Sequence, residues 1–303
     1  MAVRKITVPY LIAAFLTHNT SVSKYLPDEV YLKAVYRGYI GKKLNLNNPI
    51  TFNEKIQWLK LHDHNPQYTM MVDKIEVKKY VASIIGDEYI IPTLGVWNRF
   101  EDIDFEVLPK QFVLKCSHDS GGLVICRDKA RFDWERAKKT INCSLNKNFY
   151  WYGREWPYKN VRPRILAEKY MEDKATRELI DYKFFTFDGT ARILFIATER
   201  AANTETKFDF YDLGFNHLPI INGHPNAVIP PKKPKNFEDM IKLSEKLSKD
   251  ISHLRVDFYE VDGRVYFGEL TLSHWSGFTP FCPDSWDTKL GEWINLPKRG
   301  WEA

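Results

Sequence analysis

The chain has 303 residues, of which 44% are hydrophobic and 15% aromatic, so it can bury a sizeable core in two or three subdomains. The formal net charge is +5, and acidic and basic residues are interspersed throughout. This mild charge favours an anionic ligand, such as a phosphate or a carboxylate, and we expect no nucleic-acid partner.

The four cysteines show neither a CxxC pair nor the spacing of metal ligands. They predict reduced, packed thiols in a cytoplasmic protein and no zinc site.

Residues 1–20 combine a basic start with a short apolar run. Pro9 interrupts this run, no small-x-small cleavage site follows it, and it is too short to cross a bilayer as a helix. We therefore expect no transmembrane segment. The run is predicted to form a helix packed on the body of the protein, or else one that rests on a membrane surface. Residues 27–40 also have helical spacing, and Thr51 with Glu54 predicts a capping box at the start of another helix.

From residue 70 onward, helical and strand patterns alternate. Residues 71–86 predict one amphipathic helix, which ends at Gly86. Short strands follow, including a pair on either side of "SHDSGG" and a hairpin around Asp188-Gly189. A later amphipathic helix leads into two strands around Asp262-Gly263. The mixture predicts an α+β fold with antiparallel sheets.

The last predicted hairpin carries four polar side chains among apolar ones. Arg255 and Asp257 are two residues apart on one arm, so they leave the same face, and Glu269 and Thr271 have the same relationship on the other arm. Two facing carboxylates can hold Mg²⁺, which prefers oxygen ligands. The alternative is a solvent-facing ladder of ion pairs, which the apolar flanks disfavour because a buried polar face needs a ligand or a metal.

Lys115 lies in a second apolar strand, "FVLKC", where a lone cation is costly unless an anion meets it. The following loop contains Ser120, Gly121 and Gly122, whose backbone N–H groups and hydroxyl suit phosphate oxygens. An ordinary hairpin turn is the alternative interpretation of this loop. Together with the acidic hairpin, the pattern indicates an anion site beside a metal site.

The ordered set of a strand lysine, a Gly-rich loop, "AEKYM", "DYKFF" and "RVDFY…GELTLSHWSG" resembles the ATP-grasp superfamily. The stretches "NPITFNEKIQWLKL", "YGREWPYKNVRPRILAEKY" and "DYKFFTFDG" are similar to its TupA-like branch, which is associated with bacterial surface polysaccharides. The resemblance extends from roughly residue 27 onward. It implies a helical region at 1–90, a small lid subdomain at 91–172 and a larger subdomain at 173–303, with ATP gripped between antiparallel sheets.

The resemblance also implies how ATP is bound. Lys115 would contact the α- and β-phosphates, residues 118–122 would close over the triphosphate as a flap, and residues 168–171 would hold the adenine and ribose. Lys74 would be a further ATP contact, although a helix lysine is often merely solvated, and Lys183 would line the nucleotide site. The implied ATP-binding set is Lys74, Lys115, His118, Ser120, Gly121, Gly122, Glu168, Lys169, Tyr170, Met171 and Lys183.

For the chemical step, the resemblance implies that Asp257 and Glu269 bind Mg²⁺ and that Arg255 steadies the transferred phosphate, with Lys115 also catalytic. Thr271 departs from the family pattern, which usually has asparagine as a third metal ligand, so occupancy by a second Mg²⁺ is left open.

Two segments are candidates for the other substrates. Residues 148–160 place aromatic side chains beside Arg154, which suits a sugar and a carboxylate, or else they cover the core beneath a long loop. Residues 273–280 follow the metal strand directly, and in related folds the segment at this place lines the acceptor site. The candidate substrate contacts there are His274, Trp275, Ser276 and Gly277. For His274, the alternative interpretation is a structural role.

The resemblance implies an ATP-dependent carboxylate–amine ligase that forms an amide through an acylphosphate. Its partners would be a uronic-acid sugar and an amino acid or amine, in capsule or O-antigen assembly. A glycosyltransferase is the alternative function, although no DxD motif stands in a nucleotide-sugar context. A catalytically silent nucleotide-binding partner is a third, disfavoured by the complete set of Lys115, Arg255, Asp257 and Glu269.

Overall fold

A computed structural model of the chain describes residues 6–199 and 205–297. The α-helices among them are α1 (Val8–His18), α2 (Thr20–Ser23), α3 (Asp28–Tyr39), α4 (Phe52–His62), α5 (Gln67–Val72), α6 (Glu76–Ile85), α7 (Trp134–Leu145), α8 (Tyr150–Gly153), α9 (Phe237–Leu247) and α10 (Ser285–Glu292). Short 3₁₀ segments lie at Asp87–Tyr89, Phe100–Asp102, Lys129–Arg131, Trp156–Asn160 and His274–Gly277.

The strands form two main antiparallel sheets and a short ribbon. They are β1 (Thr93–Trp97), β2 (Phe112–Cys116), β3 (Leu123–Cys126), β4 (Ile165–Lys169), β5 (Asp181–Phe187), β6 (Thr190–Thr198), β7 (Lys207–Asp212), β8 (His217–Leu218), β9 (Ile221–Asn222), β10 (His253–Val261), β11 (Arg264–Thr271) and β12 (Phe281–Cys282). The small sheet has the order β1-β4-β2-β3, and the large sheet has the order β11-β10-β5-β6-β7-β8. The predicted α+β class with antiparallel sheets is confirmed.

The first helix packs by one face only. Ala13 and Leu16 are buried in a cluster with residues of α3, whereas Leu11, Ile12 and Phe15 of α1 are exposed. Within the described ranges, none of the helices is both long enough and apolar enough to cross a membrane. Contact of this region with a membrane surface stays a prediction.

Helix α4 begins with the predicted capping box. The Thr51 hydroxyl accepts the Glu54 N–H at 3.3 Å, and the Glu54 carboxylate accepts the Thr51 N–H at 3.1 Å. This satisfies two donors that the helix leaves unpaired at its start. Phe52 and Ile56 of α4 then pack into one hydrophobic cluster with Phe185, so α4 is anchored to the large sheet.

Residues 71–86 form two helices and not the single helix that their periodicity predicted. The chain leaves α5 after Val72 and enters α6 at Glu76. The Asp73 carboxylate accepts the N–H groups of Ile75 at 2.8 Å and Glu76 at 3.4 Å, and this local bonding stabilises a turn in competition with a continuous helix. As a result, Lys74 lies at the turn, where its N–H donates to the Ser117 carbonyl at 3.0 Å.

His253 is a buried histidine whose neutrality links stability to pH. Its Nδ1 donates to the Thr186 carbonyl at 3.0 Å, and its ring lies edge-on to Phe52. Burial lowers the pKa of His253 to about 3. Below pH ~6.5, His253 takes up a proton in the unfolded chain but stays neutral in the folded chain. The free energy of unfolding therefore falls as the pH falls.

We expect the wild type to lose about 2 kcal/mol more than His253→Gln between pH 7.5 and pH 5, because the variant lacks this titration. Urea unfolding at the two pH values measures the difference. His18→Gln is the matched control, since His18 is exposed. An identical pH dependence of His253→Gln and the wild type would contradict the assignment.

Candidate active site

A cavity of about 600 Å³ lies between the small sheet and the large sheet. The small sheet contributes Lys115 and Glu168 to its wall, and the large sheet contributes Lys183, Arg255 and Glu269. Among the described residues, the cations that line this cavity are Lys74, Lys78, Lys115, Lys183 and Arg255. Such a concentration of positive charge suits a polyanionic ligand.

The hairpin of β10 and β11 places its four polar residues as predicted. Arg255 pairs with Thr271 across the two strands, and Asp257 pairs with Glu269. The Arg255 Nε and Nη2 atoms donate to the two Asp257 carboxylate oxygens at 2.7 and 2.8 Å, and Nη2 also donates to Glu269 at 2.6 Å. The guanidinium therefore holds both carboxylates on one face of the sheet.

Lys183 of β5 completes this charge cluster. It pairs with Asp257 in register, and its ammonium donates to the same carboxylate that Arg255 holds. Burial opposes the ionisation of Glu269, but Arg255, Lys183 and Lys74 outweigh it and lower the pKa of Glu269 to about 2. At neutral pH the Glu269 carboxylate is therefore fully charged.

The hairpin offers two oxygen ligands for Mg²⁺ at the cavity wall, the Glu269 carboxylate and the Thr271 hydroxyl, and a third behind them, the Asp257 carboxylate. Glu269 faces the cavity with 44% of its side chain exposed, whereas Asp257 is buried beneath the Lys183 and Arg255 cations that already neutralise it. Across the described residues, no group of three or more His, Cys, Asp or Glu side chains is arranged around a metal position. Two carboxylates and the Thr271 hydroxyl suit an ion that takes its remaining ligands from water and phosphate oxygens.

On the small sheet, Glu168 is clamped between two lysines. Its carboxylate oxygens lie 2.5 Å from the Nζ atoms of Lys78 and Lys115, one oxygen to each lysine. Burial opposes ionisation of Glu168, but the two lysines prevail and lower its pKa. Sequence reasoning missed Lys78, which lies on α6 beside another lysine and has the appearance of a solvated helix residue.

The loop between β2 and β3 is fixed by an aspartate that sequence reasoning did not single out. The Asp119 carboxylate accepts the Gly122 N–H at 3.1 Å and the Ser144 hydroxyl, while the Asp119 carbonyl accepts the Lys74 ammonium. A Cβ on Gly122 would lie 2.5 Å from the Ser144 hydroxyl oxygen, so packing also requires this glycine. The Gly122 N–H is thus already bonded to the Asp119 carboxylate, independently of this packing requirement.

The predicted flap residues divide in two groups. Ser120 and Gly122 line the cavity, but Gly121 does not, and His118 is buried away from it. The Nε2 atom of His118 lies 3.1 Å from the Ser144 carbonyl and 3.0 Å from the Lys147 carbonyl, so it donates to α7 and the chain that follows. The structure thus corrects His118 from an ATP contact to a tether of the loop.

Of the four residues of the predicted adenine linker, 168–171, only Glu168 lines the cavity. The Lys169 N–H donates to the Pro92 carbonyl at 3.0 Å, and the Tyr170 hydroxyl donates to Glu172 at 2.6 Å. Lys169, Tyr170 and Met171 therefore lie outside the cavity wall in this structure.

His274 positions Arg255. Its Nδ1 accepts from Nη1 of Arg255 at 2.9 Å, and its Nε2 donates to the Asn222 side-chain oxygen at 2.8 Å. Burial, together with the positive charge of Arg255, keeps the pKa of His274 well below its ordinary value, so the ring stays neutral and can accept from the guanidinium. Asn222 on β9 is a supporting residue that no sequence pattern singled out.

The segment after His274 has an unusual backbone. Trp275, Ser276 and Gly277 have φ values of 48°, 54° and 64°, in the left-handed region that costs energy for non-glycine residues. Gln57 of α4 holds this segment, since its Nε2 donates to the carbonyls of Ser276 at 3.0 Å and Gly277 at 2.8 Å. Trp275 and Ser276 line the cavity as predicted, but Gly277 does not.

Arg154 was predicted to bind substrate, and the structure corrects this. Its side chain is buried, with Nη2 donating to the Ser23 carbonyl at 2.5 Å and Nε lying 3.2 Å from an Asp28 oxygen. The guanidinium also stacks over Tyr31 and Trp151, at 4.3 and 4.6 Å from the ring centroids. Arg154 therefore joins α8 to the N-terminal helices, and it does not line the cavity.

Comparisons with known proteins place the chain in a family. A family model described as TupA-like ATPgrasp matches residues 54–295, which is most of the chain. Among curated proteins, none matches the sequence.

Solved structures of similar fold include D-alanine–D-alanine ligase from Bacillus anthracis, at 19% identity over 67% of this chain and 57% of that chain, with a TM-score of 0.37. The same enzyme complexed with ATP is 15% identical over 88% of this chain and 83% of that chain, with a TM-score of 0.42. N5-carboxyaminoimidazole ribonucleotide synthetase from Thermus thermophilus is 12% identical over 68% of this chain and 48% of that chain, with a TM-score of 0.38. This chain thus spans little more than half the length of the first of these relatives.

The family model defines the chain as a protein of the ATP-grasp class. Within that class, the chain belongs to the TupA-like ATP-grasp family. The family that the ordered motifs resembled is therefore confirmed.

Proposed function

We propose that the protein is an ATP-dependent carboxylate–amine ligase that forms an amide through an acylphosphate. The observation that carries this proposal is the cavity in which the lysines of the small sheet and its neighbouring helix face the Arg255–Asp257–Glu269 cluster of the large sheet. Lysines can bind a triphosphate on one side while the hairpin acts on its terminal phosphate on the other.

Nucleotide binding is assigned to the small-sheet side of the cavity. Lys115 and Lys78 are held by Glu168, so their ammonium groups are fixed before a phosphate arrives and lose little entropy on binding. Lys74 stands at the loop that carries Ser120, and burial lowers the pKa of Lys74, so an approaching anion stabilises its charged form. Of the linker residues 168–171, Glu168 lines the cavity, and it is proposed to mark the edge at which the adenine and ribose bind.

Phosphoryl transfer is assigned to the large-sheet side. Four of the five guanidinium N–H groups of Arg255 contact Asp257, Glu269 and His274, which leaves one on Nη1 for a ligand oxygen. A guanidinium fixed in this way can stabilise charge on the transferred phosphate without reorganising. Asp257, Glu269 and Thr271 would hold Mg²⁺, which would offset phosphate charge when bound.

The proposed reaction has two steps. A substrate carboxylate oxygen attacks the γ-phosphorus of ATP, the bond to the β-phosphate oxygen breaks, and ADP leaves with an acylphosphate formed. An amine nitrogen then attacks the acyl carbon, inorganic phosphate departs, and the nitrogen loses a proton to give the amide. The chain contributes position and preorganised charge to both steps.

For substrates, we propose a uronic-acid sugar and an amino acid or amine, in cytoplasmic steps of capsule or O-antigen assembly. Supporting this are the aromatic side chains of Phe149, Tyr158 and Trp275, which line the cavity beside its cations. Aromatic faces suit the apolar faces of sugar rings, and Arg255 suits a carboxylate.

The test is a screen of ADP release with UDP-glucuronate and UDP-galacturonate, each crossed with the twenty amino acids, followed by product mass. We expect ADP and phosphate only when both a uronic acid and an amine are present. Lys115→Met should remove this activity, and Lys139→Met, at an exposed position, should retain it. Release of UDP without consumption of ATP would refute the ligase and favour a glycosyltransferase.

A further inference from the structure

We propose that Glu155 forms the subsite that recognises the amine substrate, in its cationic form, at the end of the cavity beside Arg255 and Ser276. This inference rests on the proposed ligase function and names the residue that selects an amine. Glu155 lies within residues 148–160, but the sequence patterns did not single it out, and it is not part of the charge cluster of the hairpin.

Glu155 lies between α8 and the 3₁₀ segment Trp156–Asn160. It is 6% exposed, yet it lines the cavity together with Arg255, Glu269 and Ser276. A carboxylate in this position is sheltered from bulk solvent but faces the space where a substrate would lie. Burial of a carboxylate is costly unless a cation or several donors satisfy it.

The neighbouring buried cation, Lys60 of α4, is already committed elsewhere. Its ammonium donates to the Gln57 side-chain oxygen at 2.9 Å, to the Ser276 carbonyl at 2.6 Å and to the Ser276 hydroxyl at 3.0 Å. An ammonium has three donors, so these contacts use all of them. Lys60 thus acts on Glu155 through space and has no donor left to bond to its carboxylate.

Ser276 connects the two charges. Its hydroxyl accepts from Lys60 at 3.0 Å and lies beside the Glu155 carboxylate, whose pKa it lowers against the effect of burial. The absence of a side chain at Gly153 makes this contact possible, since a Cβ there would lie 2.0 Å from Ser276 Oγ and 3.0 Å from Glu155 Oε1. The left-handed backbone of Ser276 is held in place by Gln57 and Lys60, which both donate to the Ser276 carbonyl.

The electrostatics of the buried pair agree with this geometry. Burial lowers the pKa of Lys60 to about 7, while burial raises the pKa of Glu155 against the opposing effect of Lys60. Both groups are therefore incompletely compensated without a ligand. An ammonium placed between Glu155 and the cavity would supply the missing countercharge, whereas a hydroxyl of the same shape would not.

The experiment measures binding by calorimetry to the full chain saturated with AMP-PNP and Mg²⁺. The probes are glycine, L-alanine and ethanolamine, each compared with its hydroxyl analogue: glycolate, L-lactate and ethylene glycol, respectively. We expect at least one amine to bind about tenfold or more tightly than its analogue, because a charged hydrogen bond is lost in the analogue. Glu155→Gln should weaken that amine about tenfold or more and leave the analogue unchanged.

Ser276→Ala should weaken the amine by a smaller factor, because the carboxylate remains but is no longer oriented. Glu178→Gln, at an exposed glutamate, is the matched control and should bind like the wild type. Unchanged AMP-PNP affinity in each variant shows that the site is folded. Equal binding of amines and analogues by the wild type, or an unchanged preference in Glu155→Gln, would overturn the inference alone. Failure of the wild type to bind AMP-PNP with Mg²⁺ would instead refute the proposed function.

Discussion

Asp257→Asn is expected to lower the turnover of ATP by roughly 10²–10³, the usual cost of removing one preorganised charge-stabilising group. The Asp257 carboxylate accepts from Arg255 through both oxygens, at 2.7 and 2.8 Å, and from Lys183. Asparagine has nearly the same shape, but it removes the negative charge and turns an amide N–H toward a cation. Arg255 and Lys183 would then be left with less compensation, and the proposed Mg²⁺ ligand would be lost.

ADP release at saturating substrate concentrations measures this effect. The turnover of Glu269→Gln should fall by a comparable factor. This substitution should affect folding less, because nearly half of the Glu269 side chain is exposed to the cavity whereas Asp257 is buried. Asp239→Asn is the matched control at an exposed position of α9. Thermal unfolding of all three variants separates catalysis from stability, and wild-type turnover in a folded Asp257→Asn protein would disprove the role of this carboxylate.

The acidic hairpin was predictable because its geometry is local. A strand alternates its side chains, so Arg255 shares a face with Asp257, and Glu269 shares one with Thr271. A register shift between Asp257 and Phe258 then pairs Asp257 with Glu269 and brings the two pairs to the same face. The same holds for the capping box of α4, whose two partners are three residues apart. Patterns of this kind need no knowledge of the tertiary fold.

Contacts between distant segments could not be found in this way. Lys78 is one of two adjacent lysines on an amphipathic helix, and only the approach of β4 turns it into a partner of Glu168. Asn222 supports His274 across β9 and the 3₁₀ segment, in a pairing without a sequence pattern. Nothing local distinguishes such side chains from solvated ones.

Composition also gave a wrong prediction where one combination of residue types is compatible with two roles. Aromatic rings beside an arginine suit a ligand, but they equally suit a buried cation that joins helices, and Arg154 is of the second kind. Periodicity over 71–86 likewise ignores the Asp73 carboxylate, which divides the helix by bonding to the backbone of Ile75. In both cases, tertiary contacts or side-chain bonds to the backbone decided the outcome.

The corrected role of Arg154 predicts a loss of stability and no loss of substrate binding. Arg154→Ala is expected to lower the free energy of unfolding by about 3 kcal/mol, near the lower end for breaking a buried ion pair. The variant removes the donor to the Ser23 carbonyl, the countercharge of Asp28 and the stacking on Tyr31 and Trp151. The lower end applies because the Asp28 side chain is 39% exposed, so water can solvate the carboxylate that is left.

Urea unfolding measures this change, with Arg162→Ala as the matched control. Arg162 is exposed and donates to the Asn98 side chain at 3.0 Å, so its removal should cost less than about 0.5 kcal/mol. Arg154→Lys should fall between the two, because it keeps the charge but loses the planar group that stacks on the rings. Activity assayed well below the unfolding transition should show an unchanged KM for the proposed sugar substrate. A raised KM together with wild-type stability would instead return Arg154 to the substrate site, because a residue that only joins helices acts on binding through folding alone.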